Sequence, residues 1–457
     1  MKVKYDLKSE DTIKIKTNHR EICTQIPHPD SIKVIEELRE VESNSMHDQL
    51  PLLWNSAKDY QIFDGYGNVF IDLTSTIFVA NIGHSHPKVI EAIKECCDKS
   101  LINNYYYPSH ERNAFVKRLI EVTPKQLNKA ILYSTGAETT EASFKIMRQY
   151  GHNISEDKIT ILSFEGSFHG KTTGSQQLGG KDGGKSWIKN LDSNIVHIPF
   201  PTSWYLKESG LTPKELFLRD IKKLEEKGIK AKNIAGLIME PYQGWGALFY
   251  PQEYIDTMVT WAKENQVLIT IDEVQAGFGR TGKLFGFEHY NMQPDLVCMG
   301  KAISSSLPLS AIIGREELIN LDASMNSTHG GNPLACAASL ASLNVLIDEK
   351  LVEQSEQKGK ILEDELLKWQ KEFPEIISYI SCRGLVAAIF FVKPNSDDLD
   401  IELVDKLIYR AMLKGVNSVR TLSGTIKIGP PLSIPIEALK EAIDVYKESL
   451  VEILEER

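Results

Sequence analysis

Residues 267–282 read VLITIDEVQAGFGRTG, and residues 295–311 read DLVCMGKAISSSLPLSA. The run Val267–Ile271 is short, apolar and β-branched, which is typical of a strand that is buried on both faces of a parallel sheet. The start of the second segment reads as another strand of this kind. Parallel strands end at a common sheet edge, where open α/β sheets hold their ligands. We therefore expect Asp272 and Lys301, which follow these strands, to converge at that edge.

An acid and an amine at one sheet edge allow two interpretations. In the first, the lysine forms a Schiff base with an aldehyde cofactor, and the aspartate keeps the cofactor's pyridinium nitrogen protonated so that the ring absorbs a carbanion's electrons. Pyridoxal phosphate fits that description. In the second, Asp272 caps the following helix and Lys301 is a solvated side chain. Spacing alone leaves both interpretations open.

The chain around these segments alternates between strand and helix patterns, which predicts an α/β domain with a mostly parallel sheet and right-handed crossovers. We place this large domain at residues 75–330 and a smaller α+β domain at residues 331–457. Residues 1–74, which include a hairpin pattern, are expected to join the smaller domain. The predicted strands of the large domain are residues 129–133, 158–164, 234–239, 267–271 and 295–299.

Composition excludes several classes of protein. A net charge of −10 disfavours nucleic acid and anionic membranes as partners. No apolar run reaches the ~18 residues that a membrane span requires, and the charged start of the chain lacks the apolar core of a secretion signal. The six cysteines show no metal-site or disulfide spacing, so no metal is expected. The sequence predicts a cytoplasmic protein.

Three long motifs resemble one family. IDEVQAGFGRTG at 271–282, MGKAISSSLPLSA at 299–311 and HGGNPLACAA at 329–338 are similar to motifs of the class III (ω-amino) aminotransferases, the 4-aminobutyrate and ornithine aminotransferase group. The resemblance extends over roughly residues 50–450, so it covers nearly the whole chain.

The resemblance implies a fold, a reaction and an assembly. The fold is the pyridoxal-phosphate-dependent transferase fold type I, with a mostly parallel seven-stranded sheet in the large domain and a smaller α+β domain. The implied reaction transfers an amino group between a primary amine or ω-amino compound and an oxo acid. The implied assembly is a homodimer with shared active sites.

The resemblance also assigns residues to the cofactor. Lys301 would form the Schiff base and move the proton, Asp272 would face the ring nitrogen, and Glu240 would orient the cofactor or substrate. The turn that contains Gly136 lies between a strand and a helix, and a helix N-terminus with free N–H groups is suited to phosphate. The cofactor-binding residues implied are Gly136, Ala137, Phe168, His169, Gln243, Asp272, Gln275, Lys301 and, from the neighbouring subunit, Thr328.

Three positions depart from the 4-aminobutyrate enzymes and bear on the substrate. Lys171 and Lys427 stand where those relatives carry arginine, and lysine does not reproduce the two parallel hydrogen bonds of arginine to a carboxylate. Arg383 and Arg420 are candidates to compensate. Trp245 stands where those relatives carry a glutamate, and its flat ring would suit a bulky amine such as an amino sugar or cyclitol, unless it is a simple packing exchange. The predicted substrate-binding residues are Phe78, Lys171, Trp245 and Lys427.

Two other functions stay open at this stage. Amino-acid racemases or epimerases share the fold and motifs, and the tracts GSFHGKTTGSQ and NIVHIPFPTSWY resemble that branch. A catalytically silent binding protein that kept the fold is the other alternative, although both Lys301 and Asp272 are present.

Overall fold

The computed structural model describes residues 5–456. Residues 1–4 and 457, which begin the predicted N-terminal segment and end the predicted small domain, lie outside the described residues. The strands are β1 (Ile15–Lys16), β2 (Glu21–Ile22), β3 (Ser56–Lys58), β4 (Gln61–Phe63), β5 (Val69–Asp72), β6 (Lys129–Tyr133), β7 (Thr160–Phe164), β8 (Ile195–Ile198), β9 (Ile234–Met239), β10 (Tyr242–Gln243), β11 (Leu248–Phe249), β12 (Leu268–Asp272), β13 (Leu296–Met299), β14 (Ser310–Gly314), β15 (Ile377–Arg383), β16 (Val386–Phe391), β17 (Val416–Asn417), β18 (Val419–Arg420) and β19 (Ile426–Ile428). The α-helices are α1 (Pro29–Val41), α2 (Ser75–Phe78), α3 (Pro87–Asp98), α4 (His110–Glu121), α5 (Gly136–Ile154), α6 (Thr173–Leu178), α7 (Ser203–Ser209), α8 (Pro213–Glu226), α9 (Gln252–Glu264), α10 (Glu316–Ile319), α11 (Pro333–Asp348), α12 (Leu351–Glu372), α13 (Ile401–Leu413) and α14 (Ile436–Glu455).

A seven-stranded sheet forms the centre of the molecule, in the order β6-β14-β13-β12-β9-β7-β8. Strands β13, β12, β9, β7 and β8 pair in parallel, whereas β14 runs antiparallel to both of its neighbours. This arrangement confirms the predicted mostly parallel sheet. Two of its strands, β8 and β14, were not predicted from the sequence.

The central strands are buried on both faces, which explains their apolar sequences. Every residue of β9, β12, β13 and β14 is buried. Helix α5 crosses one face of the sheet and contacts several of these strands. Such strands have no polar face, so they read as continuous apolar runs. In register, Asp272 lies opposite Cys298, which puts the ends of β12 and β13 at one edge.

The carboxyl-terminal part of the chain forms a second, antiparallel sheet in the order β15-β16-β19-β18, packed with α12, α13 and α14. The short strand β17 leaves this part and pairs in parallel with β5 of the N-terminal segment. This pairing links the N-terminal segment to the part of the chain beyond residue 330. The domain boundaries at 74/75 and 330/331 remain predictions.

One buried arginine joins three parts of the chain. Arg280 is fully buried, and its guanidinium donates to the carbonyls of Leu385 and Pro430 and to the side chains of Ser75 and Asn81. The turn α2 is left-handed, with φ between 47° and 69° at all four residues and no glycine among them. Such a conformation is unfavourable for L-residues and persists only where surrounding contacts fix it. Arg280 supplies part of that fixation.

No helix within residues 5–456 combines the length and the apolarity that crossing a membrane requires.

Candidate active site at the carboxyl edge of the large sheet

A cavity of about 470 Å³ lies at the carboxyl edge of the large sheet. Its volume falls in the usual range for small-molecule sites. Lys301 and Asp272 both line it, as expected from the strand ends. The predicted residues that line the cavity are Gly136, Ala137, Phe168, His169, Lys171, Glu240, Asp272, Gln275 and Lys301.

Lys301 is held in an unusual backbone conformation. It follows Gly300 and has a φ of 45°, in the left-handed region that non-glycine residues rarely adopt. Burial lowers the pKa of its amine, while the nearby carboxylates of Asp272 and Glu240 oppose that shift. A lysine with a lowered pKa has a larger neutral fraction, which is the form that acts as nucleophile and base.

Asp272 is fixed by two hydrogen bonds. Its Oδ2 accepts from His169 Nδ1 at 2.8 Å, and its Oδ1 accepts from the backbone N–H of Val274 at 3.0 Å. His169 is itself buried and lies 3.4 Å from Ser163 Oγ. The carboxylate therefore has a defined orientation at the cavity.

The N-terminus of α5 forms another wall of the cavity. Thr135 caps this 19-residue helix, and Glu138 accepts from the N–H groups of Ser134 and Thr135. The first N–H groups of a helix lack partners within it, and the helix dipole favours an anion there. A Cβ on Gly136 would lie 2.8 Å from Val274 Cγ1, so a larger residue does not fit. The geometry suits a phosphate.

Phe168 and Glu240 also line this cavity. The Phe168 ring is 52% exposed even though its neighbours Ser167 and His169 are buried, so an apolar face is presented to the cavity. Glu240 accepts from the backbone N–H groups of Phe168 and Gly244, at 3.2 and 3.0 Å. Burial raises the pKa of Glu240 to about 7, with Asp272 contributing and His169 opposing.

The raised pKa of Glu240 predicts a pH-dependent stability. The folded carboxyl keeps its proton up to about pH 7, whereas an ordinary glutamate loses it near 4.5, so the folded state binds more protons between these values. Stability therefore falls as pH rises from about 4.5 to about 7, by up to about 3 kcal/mol from this residue. Urea unfolding should show a weaker decline in Glu240→Gln. The exposed Glu253→Gln is the control, and equal declines in all three proteins would contradict this prediction.

Lys427 lies behind the cavity instead of lining it. It is buried, donates to Gln275 Oε1 and to the Gly244 carbonyl, and sits 4.8 Å from the Phe78 ring centroid. Burial lowers its pKa to about 7. In this structure its closest link to the cavity is Gln275, which lines the wall.

Besides Lys427, four other predicted residues are not brought to the cavity. The amide of Gln243 is held by the Glu165 carbonyl and the indole N–H of Trp245, and both Gln243 and Trp245 line a neighbouring cavity. Phe78 is only 2% exposed and packs under Arg280 and Lys427. Thr328 is exposed and outside this chain's cavity.

Neither arginine that was considered as a substitute lines the cavity either. Arg420 pairs with Asp405 at 2.6 Å, and the guanidinium carbon of Arg383 lies 4.2 Å from the Phe249 ring centroid.

The sequence analysis also missed lining residues, among them Val79, Val274 and Ser306. The Val274 side chain packs against both Gly136 and Gly300. A Cβ would lie 2.8 Å from Val274 Cγ1 at Gly136 and 3.2 Å from it at Gly300. The two glycines were visible in the sequence, but their common neighbour depends on the tertiary fold.

The family model for class-III aminotransferases matches residues 43–450, which is most of the chain. This chain belongs to the class-III aminotransferase family. The resemblance noted in the sequence is thereby confirmed, together with the fold and the pyridoxal-phosphate-dependent aminotransferase activity.

Individual relatives of this class-III aminotransferase cover nearly its full length. A 4-aminobutyrate aminotransferase of Mycobacterium leprae is 32% identical over 446 residues, which is 94% of this chain and 98% of that protein. An isoleucine 2-epimerase of Lentilactobacillus buchneri is 32% identical and covers 88% of this chain and 90% of its own. The crystal structure of an (S)-enantioselective ω-transaminase from Thermomicrobium roseum superposes with a TM-score of 0.83 at 25% identity, covering 92% and 98% of the two chains.

The cavity of this class-III aminotransferase fits pyridoxal phosphate on its own chemistry. It offers a buried amine, a carboxylate held in place by two hydrogen bonds, an apolar ring face and a helix N-terminus around one volume of about 470 Å³. These groups match the aldehyde, the ring nitrogen, the ring face and the phosphate of the cofactor, respectively.

Proposed function

We propose that Lys301 holds pyridoxal phosphate covalently and moves the proton in an amino-group transfer between a primary amine or ω-amino compound and an oxo acid. The observation that supports this proposal is that Lys301, Asp272 and the N-terminus of α5 line one cavity, although they are remote in sequence. An amine, an acid and an anion site around a single small-molecule volume are what this chemistry requires.

The bound cofactor supplies a carbonyl carbon for amines and a ring that absorbs the electrons of a carbanion. With the cofactor bound, Lys301 Nζ would take the proton from the substrate carbon that bears the nitrogen and would then, as the acid, deliver it to the carbon that carried the cofactor's carbonyl. The lowered pKa of Lys301 favours the neutral amine that the first step needs. Asp272 would keep the cofactor's ring nitrogen protonated, in the orientation that His169 and the Val274 N–H give its carboxylate.

His169 is a positioning residue in this proposal, because it orients Asp272 through the 2.8 Å contact. His169→Asn is expected to lower the rate of the half-reaction about tenfold and to speed cofactor release, as losses of supporting contacts typically do. Stopped-flow absorbance measures both rates. The exposed His152→Asn is the matched control. A His169→Asn enzyme with unchanged cofactor release would contradict the positioning role.

The substrate proposal rests on the charges around the cavity. Lys171 lines it and is exposed, so it is available to a carboxylate, whereas Lys427 acts from behind Gln275. The 4-aminobutyrate aminotransferase and the ω-transaminase named above support an amine or ω-amino donor. The test is a panel of amines and oxo acids added singly to the holoenzyme and scored by cofactor absorbance. A panel without any spectral change would overturn the proposal.

We further infer a homodimer with shared sites. Thr328 is exposed, and the nearby segment that contains Ile102 and Tyr107 leaves apolar side chains 59% and 72% exposed. Asn332 joins the two segments by donating to the Ile102 carbonyl at 2.8 Å. A partner subunit seated there would cover these side chains. The phosphate of its cofactor would accept a hydrogen bond from the Thr328 hydroxyl.

The dimer proposal predicts a role for Thr328 in holding the cofactor of the partner subunit. Thr328→Val is expected to weaken cofactor retention about tenfold, since one hydrogen bond to a charged phosphate is lost. Dialysis followed by absorbance measures retention, and sedimentation measures the assembly. Thr260→Val, on an exposed helix face, is the control. A monomer in sedimentation, or equal retention in both variants, would contradict the proposal.

Epimerisation of an amino acid is the second candidate, because the isoleucine 2-epimerase relative has the same 32% identity. An epimerase needs no oxo acid, whereas a transaminase stops after half a turnover. Incubation with one enantiomer of an amino acid and no acceptor separates the two, since inversion of configuration appears only with an epimerase.

A further inference from the structure

A second cavity, of about 570 Å³, lies beside the first. Two chain segments separate them, 165–168 and 240–245. Phe168 and Glu240 face the first cavity, whereas Gly166 and Trp245 face the second. A ligand that reaches over this shared wall would occupy both cavities.

Hydrogen bonds and ring contacts tie the shared wall together. Gln243 Nε2 donates to the Glu165 carbonyl at 2.5 Å, and the indole N–H of Trp245 donates to Gln243 Oε1 at 2.9 Å. Gly166 has a φ of 80°, and a Cβ there would lie 3.0 Å from Gln243 Oε1. Trp245 is backed by the ring of Phe390, with centroids 5.7 Å apart. The indole is therefore held in place before any ligand arrives.

The lining combines flat rings with charges of both signs. Trp204, Tyr205 and Trp245 supply rings, Lys181 supplies the cation, and the carboxyl groups are Glu165 and Glu208. Lys181 Nζ lies 5.8 Å from the Trp245 ring centroid and donates to Ser423 Oγ at 2.8 Å. Burial lowers the pKa of Lys181, and Glu240 of the first cavity opposes the shift.

This mixture selects among ligand chemistries. A carboxylate would be attracted by Lys181 but repelled by Glu165 and Glu208. A second ammonium would be attracted by these two carboxylates but repelled by Lys181. A hydroxyl both donates and accepts, so it matches the amine and the carboxylates together. A ring that carries several hydroxyls also has C–H faces that pack on indoles, since aromatic faces carry negative potential.

We propose that the second cavity binds the polyhydroxylated ring of the amine substrate, which is therefore an amino sugar or aminocyclitol. This inference rests on the proposed function, because the amino end of the same molecule would lie beside Lys301. The Lys181 amine and the Glu165 and Glu208 carboxylates bind ring hydroxyls, while Trp204 and Trp245 contact the ring.

The experiment uses the holoenzyme and three amines: propylamine, cyclohexylamine and an inosamine, which is an inositol with one hydroxyl replaced by an amine. The concentration dependence of the half-reaction absorbance gives an apparent Kd for each. The inosamine is expected to bind at least about tenfold more tightly than cyclohexylamine. Lys181→Gln and Trp204→Ala should each weaken the inosamine about tenfold and leave propylamine unchanged. Lys207→Gln, on the same helix as Trp204, is the control.

Each opposite result overturns the inference. Unchanged inosamine binding in both variants shows that the second cavity is not used, and equal weakening of all three amines shows damage to the first cavity only. Equal weakening of cyclohexylamine and the inosamine removes the role of the hydroxyls. If no amine changes the spectrum, the proposed transfer itself fails. Indole fluorescence quenching by inositol, which needs no reaction, then decides: quenching that Lys181→Gln weakens supports the cavity, and none overturns it.

Discussion

Lys301→Ala is expected to lower the rate of amino-group transfer by about 10⁴-fold or more, because one side chain serves as covalent holder, base and acid. Its amine is buried, has a lowered pKa and is held at a φ of 45° beside Asp272. Cofactor attachment is measured separately from turnover, by borohydride reduction followed by mass spectrometry. The natural chain should gain the reduced cofactor, and the variant should not.

The matched control for this prediction is Lys189→Ala, at an exposed lysine remote from the cavity lining. It should retain both turnover and attachment. Normal attachment of cofactor to Lys301→Ala would contradict the assignment, because the covalent amine would then be another lysine. A folded variant is verified by circular dichroism before either measurement.

Arg280→Met is expected to have the largest effect on stability, about 3–5 kcal/mol. The fully buried guanidinium satisfies the carbonyls of Leu385 and Pro430 and the side chains of Ser75 and Asn81. Methionine fills the space but leaves these acceptors without a donor. Burial already lowers the pKa of Arg280 to about 10, which shows how far its environment is desolvated. Urea unfolding measures the loss.

Two further variants sharpen this test. Arg280→Lys keeps the charge but lacks the planar fork, so an intermediate loss is expected. Arg118→Met removes a partly exposed arginine that pairs with Glu121, where a loss of at most about 1 kcal/mol is expected. Equal stabilities of Arg280→Met and Arg118→Met would contradict the role of Arg280. Because α2 leads directly to Val79 at the cavity, activity should fall with stability in the Arg280 variants.

Local patterns predicted the elements that carry the chemistry. Apolar runs identified β9, β12 and β13, because strands buried on both faces show no alternation. The strands β8 and β14 escaped notice for different reasons. The residues of β8 are mostly half-buried and include a histidine, whereas β14 follows a serine-rich turn and runs antiparallel.

The side-chain environments of the site were harder to predict than its residues. Gln243 and Gln275 both follow a strand-end acid, and both were predicted to bind the cofactor. Only Gln275 lines the cavity, since Gln243 is turned away by Glu165 and Trp245. Lys427 was assigned to the substrate, yet its nearest partners are Gln275 and Gly244.

The sequence by itself determined the family, the mostly parallel character of the sheet and the meeting of Lys301 with Asp272 at one edge, because strand burial and chain direction are encoded in neighbouring residues. Only the tertiary structure decided which polar groups of segments 165–168 and 240–245 face the first cavity and which face the second. Those choices depend on contacts between segments far apart in the chain, such as Arg280 with Ser75 and Pro430, and Trp245 with Phe390. Packing and desolvation at such contacts are properties of the assembled fold, so no local pattern records them.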